Sequence, residues 1–161
     1  MWTNSPASYE GKYLRIENAY CEPRWPEAPP IMIGGGGERK TLRVVAELAD
    51  WWNGGFSPLE RYRQKVAILH QHCADVGRDP NAILLSSYSH IALGRTPDQI
   101  ERIDPVRPNM YRIAGTPDEV AAELNTFIAF GVRHFMLKFA DYPSLDQYEL
   151  FMREVVPQLR G

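Results

Sequence analysis

Four consecutive glycines, Gly34, Gly35, Gly36 and Gly37, are the residues of this sequence best suited to hold a ligand against the main chain. They follow Pro29-Pro30-Ile31-Met32-Ile33, a short apolar run of strand character behind two prolines. They precede a segment from Glu38 in which Leu42, Val45, Ala46 and Ala49 recur at the i, i+3, i+4, i+7 spacing of an amphipathic helix. Four glycines contribute no side-chain packing and lose much backbone entropy on folding, so their use points to close approach of another group. The first turn of a helix leaves N–H groups without partners and carries the positive end of the helix dipole, a combination that seats phosphate. A tight strand-to-helix turn with no ligand is the competing reading of the same residues. The named phosphate motifs do not decide between them: G-x-G-x-x-G needs glycine where Arg39 stands, and a P-loop needs glycine immediately before Lys40. Glu38 fits a phosphate seat poorly, because a carboxylate repels phosphate unless it points away; service to the helix N-terminus is the role expected of it.

Further candidates lie at strand ends. Trp51-Trp52-Asn53-Gly54-Gly55 reads as a short aromatic strand closed by glycines. Residues 83–92 read as another, with Ser86, Tyr88 and His90 on one face and Ser87, Ser89 and Ile91 on the other. Such polarity is unusual in a buried parallel strand, which normally reads as an apolar run, so these side chains either line a polar cavity or reflect an imperfect barrel interior. His90, Lys138 and Asp141 are the polar residues near strand ends or interior faces able to meet a substrate. His70 and His72 are two apart, point to different faces of a helix, and do not form a metal pair; no metal site is expected.

The elements that position these residues follow in order. Residues 8–20 predict a hairpin with Glu10-Gly11 at its turn, and Pro23, Pro26, Pro29 and Pro30 force an extended connection, so residues 1–30 are expected to form an arm and residues 31–161 the main domain. Ser57-Pro58-Leu59-Glu60 has the pattern of a capping box and opens a helix with the stripe Leu59, Tyr62, Val66, Leu69, Cys73 and Val76, closed by Gly77. Thr96-Pro97-Asp98-Gln99 starts a short helix, and residues 104–109 a proline-containing loop. Thr116-Pro117-Asp118-Glu119 caps a helix with the stripe Val120, Leu124, Phe127 and Ile128, residues 133–139 form a strand, and residues 144–159 a closing helix. Repeated β-α alternation predicts a parallel sheet, either an open doubly wound sheet or part of a (β/α) barrel.

Composition removes several classes. At 161 residues the chain suits one core, and 44% hydrophobic with 24% charged residues is ordinary for a globular protein. Lys and Arg are scattered and the net charge is −2, so nucleic acid is not suggested. No apolar run approaches the roughly 20 residues of a membrane span, and Cys21 and Cys73 without C-x-x-C spacing fit two unpaired thiols in the reducing cytoplasm.

The stretch Pro30-Ile31-Met32-Ile33-Gly34-Gly35-Gly36-Gly37-Glu38-Arg39 followed by Ala49-Asp50-Trp51-Trp52-Asn53 resembles the luciferase-like monooxygenase superfamily, in particular its coenzyme F420-dependent oxidoreductases. Tyr9-Glu10-Gly11-Lys12-Tyr13, Glu17-Asn18-Ala19-Tyr20-Cys21, Ala114-Gly115-Thr116-Pro117-Asp118-Glu119-Val120 and Phe130-Gly131-Val132-Arg133-His134-Phe135 extend the resemblance over nearly the whole chain. It implies an α/β fold, the C-terminal half of a TIM (β/α)8-type barrel with four parallel strands and an N-terminal hairpin arm. It also implies hydride transfer or flavin-dependent oxygenation of a small organic substrate, with F420 or FMN as cofactor. On this resemblance Gly34, Gly35, Gly36 and Gly37 contact the cofactor's phosphate or its linker, and Trp52, Asn53 and Gly54 lie close to it. Four strands do not close a barrel of eight, so a homodimer or a partner chain is expected to complete it. A non-catalytic cofactor-binding or assembly module and a small α/β phosphate-binding domain without redox role are the alternatives.

Overall fold

The computed structural model describes residues 1–24, 26–55, 57–104 and 111–160, which form two compact units, Met1–Ile31 and Met32–Gly161. The loop expected at 104–109 lies, beyond Asp104, outside the described residues. In the first unit, β1 (Ala7–Glu10) pairs antiparallel with β2 (Arg15–Ala19), with Tyr9 opposite Ile16. The Gly11 N–H donates to the Leu14 carbonyl at 2.9 Å and closes the hairpin loop.

The second unit is built on five parallel strands: β3 (Met32–Gly34), β4 (Trp51–Gly55), β5 (Leu84–Leu93), β6 (Ile113–Gly115) and β7 (His134–Phe139). The four expected strands are all present, and β6 is an addition of three residues. Registers fix the order. Ser86 of β5 pairs with Asn53 of β4 on one side and His134 of β7 on the other. Ile91 pairs with both Ile113 and Phe139, which places β6 beside the last residues of β5 on the flank that β4 occupies lower down.

Helices α1 (Thr41–Leu48), α2 (Leu59–Val76), α3 (Pro97–Ile103) and α4 (Pro117–Phe130) alternate with the strands, and α5 (Asp146–Leu150) continues into a π-helical turn, Phe151–Val155, and a 3-10 turn, Val156–Gln158. The apolar stripes do the packing. Leu42, Val45, Ala46 and Ala49 meet Tyr62, Val66, Leu69 and Cys73 around Trp52, while Val120, Ala121 and Leu124 meet Ile91, Leu93 and Phe151. Burial pushes the Cys73 thiol up from its ordinary value.

Cap geometry differs between the two helices that share a cap pattern. In α4 the Glu119 carboxylate accepts from both the backbone N–H (2.8 Å) and the hydroxyl (3.0 Å) of Thr116. Gly115 makes room for this, since a Cβ there would lie 2.7 Å from the same carboxylate oxygen. In α2 the N-cap position is Pro58 and Ser57 makes no capping hydrogen bond, so the expected capping box is not formed. Gly77 and Gly131 end α2 and α4 in the left-handed conformation, with φ of 71° and 119°. Among the described residues no helix is long and apolar enough to cross a membrane.

Candidate functional site

Alternation along parallel strands divides the sheet into two faces. Trp52, Leu85, Phe135, Leu137 and Phe139 turn toward the helices and pack in the cores. Trp51, Asn53, Ser86, Tyr88, His90, His134, Met136 and Lys138 share the opposite face by register. On that face Ser86 Oγ and His134 Nδ1 are 2.9 Å apart, the Trp51 and His134 rings lie 5.2 Å apart, and Asn53 Nδ2 donates to Met136 Sδ at 3.0 Å.

A cleft of about 590 Å³ opens at the C-terminal ends of β3 and β4, lined by Gly34, Gly35, Gly36, Trp52, Asn53, Gly54, Gly55, Ser57, Arg61, Tyr62, Lys65 and Tyr88. It gathers six of the seven residues expected at the cofactor: Gly34, Gly35, Gly36, Trp52, Asn53 and Gly54. Gly37 stands outside this lining, and its reason for being glycine is packing: a Cβ there would lie 2.7 Å from Thr41 Oγ1. Gly35 adopts φ of +109°, and its N–H donates to the Asn53 carbonyl at 3.1 Å. Gly36 is different. It makes no hydrogen bond with any described residue, and a Cβ there would meet nothing nearer than Lys65 Cε at 3.7 Å.

Trp52 works from behind the cleft. Its ring is buried against Tyr62, 5.0 Å away, and its indole N–H donates to the Gly35 carbonyl at 2.9 Å, which fixes the glycine loop on the strand below. Tyr62 donates in turn to the Ser86 carbonyl at 3.0 Å, and burial pushes its phenol well above the ordinary tyrosine value. Asn53 leaves its Oδ1 buried with no partner among the described residues, an acceptor at the cleft wall.

The helix α1 begins at Thr41, with Lys40 as N-cap and no acidic residue in its first turn, so the turn of residues 38–40 separates the glycines from the helix. Glu38 therefore does not serve that N-terminus. Its carboxylate pairs with Lys65 at 2.6 Å, and the hydrogen bond and charge of Lys65 hold the carboxyl below the usual glutamate range, with help from the charge of Arg61. His72 Nε2 lies 2.7 Å from the Glu38 carbonyl oxygen, a second link from α2 to this turn.

His90 and Lys138 are cross-strand neighbours on the inner face. Tyr88 sets its ring edge-on to His90 at 6.0 Å and also lines a second cleft of about 510 Å³ with Met136, Lys138, Tyr142, Leu145 and Tyr148. Tyr88 thus lines both clefts. Asp141 is placed elsewhere: its Oδ2 accepts the Gln147 N–H at 2.9 Å at the start of α5. The cations missed by sequence reasoning are Arg61 and Lys65. Their i, i+4 spacing puts them on one side of α2, but two charges on an amphipathic helix look like any solvated face.

A parallel α/β sheet with its cleft at the C-terminal strand ends is the arrangement of TIM-barrel enzymes. Residues 1–103, more than half of the chain, match the family model of luciferase-like monooxygenases, and the chain belongs to that family. It is 26% identical over 198 aligned positions to an F420-dependent glucose-6-phosphate dehydrogenase of Segniliparus rotundus, covering all of this chain and 58% of the relative. Its fold is similar to that of an F420-dependent secondary alcohol dehydrogenase in complex with an F420-acetone adduct, with TM-score 0.79, 16% identity, and coverage of 99% of this chain and 58% of the other. It is also similar to the oxygenating constituent of 3,6-diketocamphane monooxygenase of Pseudomonas putida in complex with FMN, with TM-score 0.68, 16% identity, and coverage of 99% and 60%. The chain spans less than two thirds of the length of these relatives.

Proposed function

We propose that this chain is the cofactor-binding C-terminal half of a flavin- or deazaflavin-dependent oxidoreductase, with F420 or FMN as its cofactor and a small organic molecule as its substrate. The observation that carries this reading is the glycine cleft at the C-terminal ends of β3 and β4: it joins the unpaired backbone of Gly36 to two cations, Arg61 and Lys65, and to the orphaned Asn53 Oδ1. These groups suit a molecule with a phosphate at one end and a hydrogen-bonding ring at the other. Such a cofactor, when bound, supplies the hydride or oxygen-activating chemistry. The protein's part is placement. Gly34, Gly35 and Gly36 let the phosphate come close, Trp52 fixes their loop, Asn53 accepts a ring N–H, and Tyr88 stands between this cleft and the second, where Lys138 would face the substrate with His90 as its cross-strand neighbour.

The second reading, a module that binds cofactor without turnover, draws on one observation: Met136 is 42% exposed and Lys138 is exposed on the inner face of the sheet. In this proposal further β/α units cover that face, from a second copy of the chain, a partner chain or additional polypeptide, and the complete assembly acts in the cytoplasm.

A fluorescence titration of the purified chain with F420, and with FMN as comparison, tests the reading. Saturable binding of either is expected. Binding of neither sinks the cofactor assignment for this chain. Turnover of a sugar phosphate or alcohol by the chain alone would remove the non-catalytic reading.

A further inference from the structure

An anion sits beside the glycine cleft. Glu38 follows the glycines directly and is gripped by α2 at two points, its carboxylate 2.6 Å from Lys65 Nζ and its carbonyl oxygen 2.7 Å from His72 Nε2. The two members of the ion pair differ in exposure: the Lys65 side chain is 17% exposed, the Glu38 side chain 56%. The Lys65 stem lies beside Gly36, 3.7 Å from where a Cβ would stand, and Gly36 is the loop residue whose backbone makes no hydrogen bond among the described residues. Arg61, one turn earlier on the same helix, lines the same cleft, and no residue lining the cleft carries a carboxylate.

This asymmetry has a physical consequence. The Lys65 stem is largely enclosed, which holds its ammonium at the loop beside an anionic partner, whereas a carboxylate that is more than half exposed returns to water with little loss. Glu38 holds Lys65 in place from outside the cleft, at a position it can leave. A phosphate monoester arriving at Gly36 offers Lys65 a stronger acceptor, with more negative charge and more oxygens than a carboxylate, and a phosphodiester offers one of equal charge aimed from inside the cleft.

We propose that Lys65 is a phosphate-binding residue of the glycine cleft and that Glu38 is its resident competitor, a built-in anion displaced when a phosphate-bearing ligand enters. This deepens the cofactor reading and rests on it for the identity of the ligand. The exchange makes the cleft selective: a ligand without phosphate does not release Lys65 from Glu38 and gains nothing from it. It also lowers phosphate affinity below what two cations alone would give.

The test compares FMN, F420 and riboflavin, which lacks the phosphate, on the wild type and on Lys65→Gln and Glu38→Gln. Lys65→Gln is expected to weaken FMN and F420 about tenfold or more, the loss of one charge-assisted hydrogen bond, and to leave riboflavin unchanged. Glu38→Gln is expected to tighten FMN and F420 about threefold, the release of one partly exposed ion pair, again with riboflavin unchanged. A merely structural ion pair gives the opposite pattern, in which both substitutions weaken all three ligands together, and that result overturns the proposal. FMN and F420 binding that neither substitution alters also overturns it while leaving the cofactor reading in place. Should no flavin or deazaflavin bind the wild type, inorganic phosphate becomes the probe, read as a shift of the thermal unfolding midpoint against chloride at equal ionic strength. A shift enlarged in Glu38→Gln and abolished in Lys65→Gln sustains the exchange for a different phosphate ligand; no shift in the wild type overturns it.

Discussion

On β5, Ser87, Ser89, Ile91 and Leu93 turn toward the helices and are almost fully buried, while Tyr88 and His90 on the other face remain half-exposed. The same strand therefore meets a finished core on one side and, at Tyr88 and His90, a partly exposed polar and aromatic surface on the other, flanked by the buried Ser86 and Ala92. Parallel strands in a closed barrel are covered twice, by helices outside and by each other's side chains inside. Here the outer cover is complete in itself, with Leu42, Val45, Ala46, Trp52 and Tyr62 nearly inaccessible to water. Inner-face residues instead find partners across neighbouring strands, as in Ser86 with His134 and Asn53 with Met136. Burial is concentrated on the outer side, and the candidate site residues lie on the inner side and at the C-terminal rim. Substitutions should separate the two.

The largest effect is expected at Trp52. Trp52→Ala removes a fully buried ring and the indole bond to the Gly35 carbonyl, and should lower stability by about 3–5 kcal/mol in urea denaturation. A loss under about 1 kcal/mol would mean that the outer core does not depend on this residue, and the contrast between faces would fail at its strongest point.

The inner face supplies the counterpart. Met136→Asp places a charge on an exposed inner position and should change the stability of the isolated chain by no more than about 0.5 kcal/mol. If a second copy covers that face, the same substitution shifts the chain to monomer in size-exclusion chromatography. A large loss of stability without any change of assembly would show that Met136 is buried in a way the exposed sheet face does not account for.

The glycine loop repeats the contrast over two residues. Gly37→Ala drives a Cβ against Thr41 on the packing side and should cost about 1–3 kcal/mol. Gly36→Ala meets nothing closer than 3.7 Å and should leave stability within about 0.5 kcal/mol. Gly36→Val tests the ligand side, with F420 or FMN affinity falling and the folded state retained. Gly35 is less informative, since its φ of +109° strains any side chain whatever the ligand does.

The outer layer was largely legible in the sequence because its signals are local and periodic. Leu42, Val45, Ala46 and Ala49, and Tyr62, Val66, Leu69 and Cys73, are buried where 3.6-residue spacing puts them. The glycine run and the Trp-Trp-Asn-Gly-Gly segment come together at one cleft because each ends a neighbouring parallel strand. The three-residue strand β6 was not legible, since Ile113–Gly115 is too short to show alternation and exists by pairing with the end of β5. Nor were Lys65, Arg61 and the grip of His72 on Glu38. Those contacts join residues 27 to 34 positions apart through the packing of α2 beside the glycine loop, and spacing along one helix does not reveal them. The failed cap at Ser57 has a related lesson: the four-residue pattern is the same as at Thr116, but only in α4 does the glutamate fold back, against Gly115.

That difference between caps gives the smallest and most specific effect. The Thr116 backbone N–H, then its hydroxyl, hold the Glu119 carboxyl below its ordinary value of 4.5. A carboxyl depressed in the folded state stabilises it above the unfolded value, and the contribution fades as pH falls through the lower folded value. Wild type and Glu119→Gln should therefore differ in urea midpoint at pH 7 and converge as the solution is acidified below 4.5. The parallel variant Glu60→Gln in α2, where Ser57 forms no cap bond, is the control for a glutamate at a helix start without the fold-back. A gap of equal size in both helices would mean that charge near a helix start, rather than the folded-back hydrogen bonds of Glu119, sets the response. The outer layer would then owe its acid sensitivity to helix dipoles in general and not to the glycine that precedes Thr116.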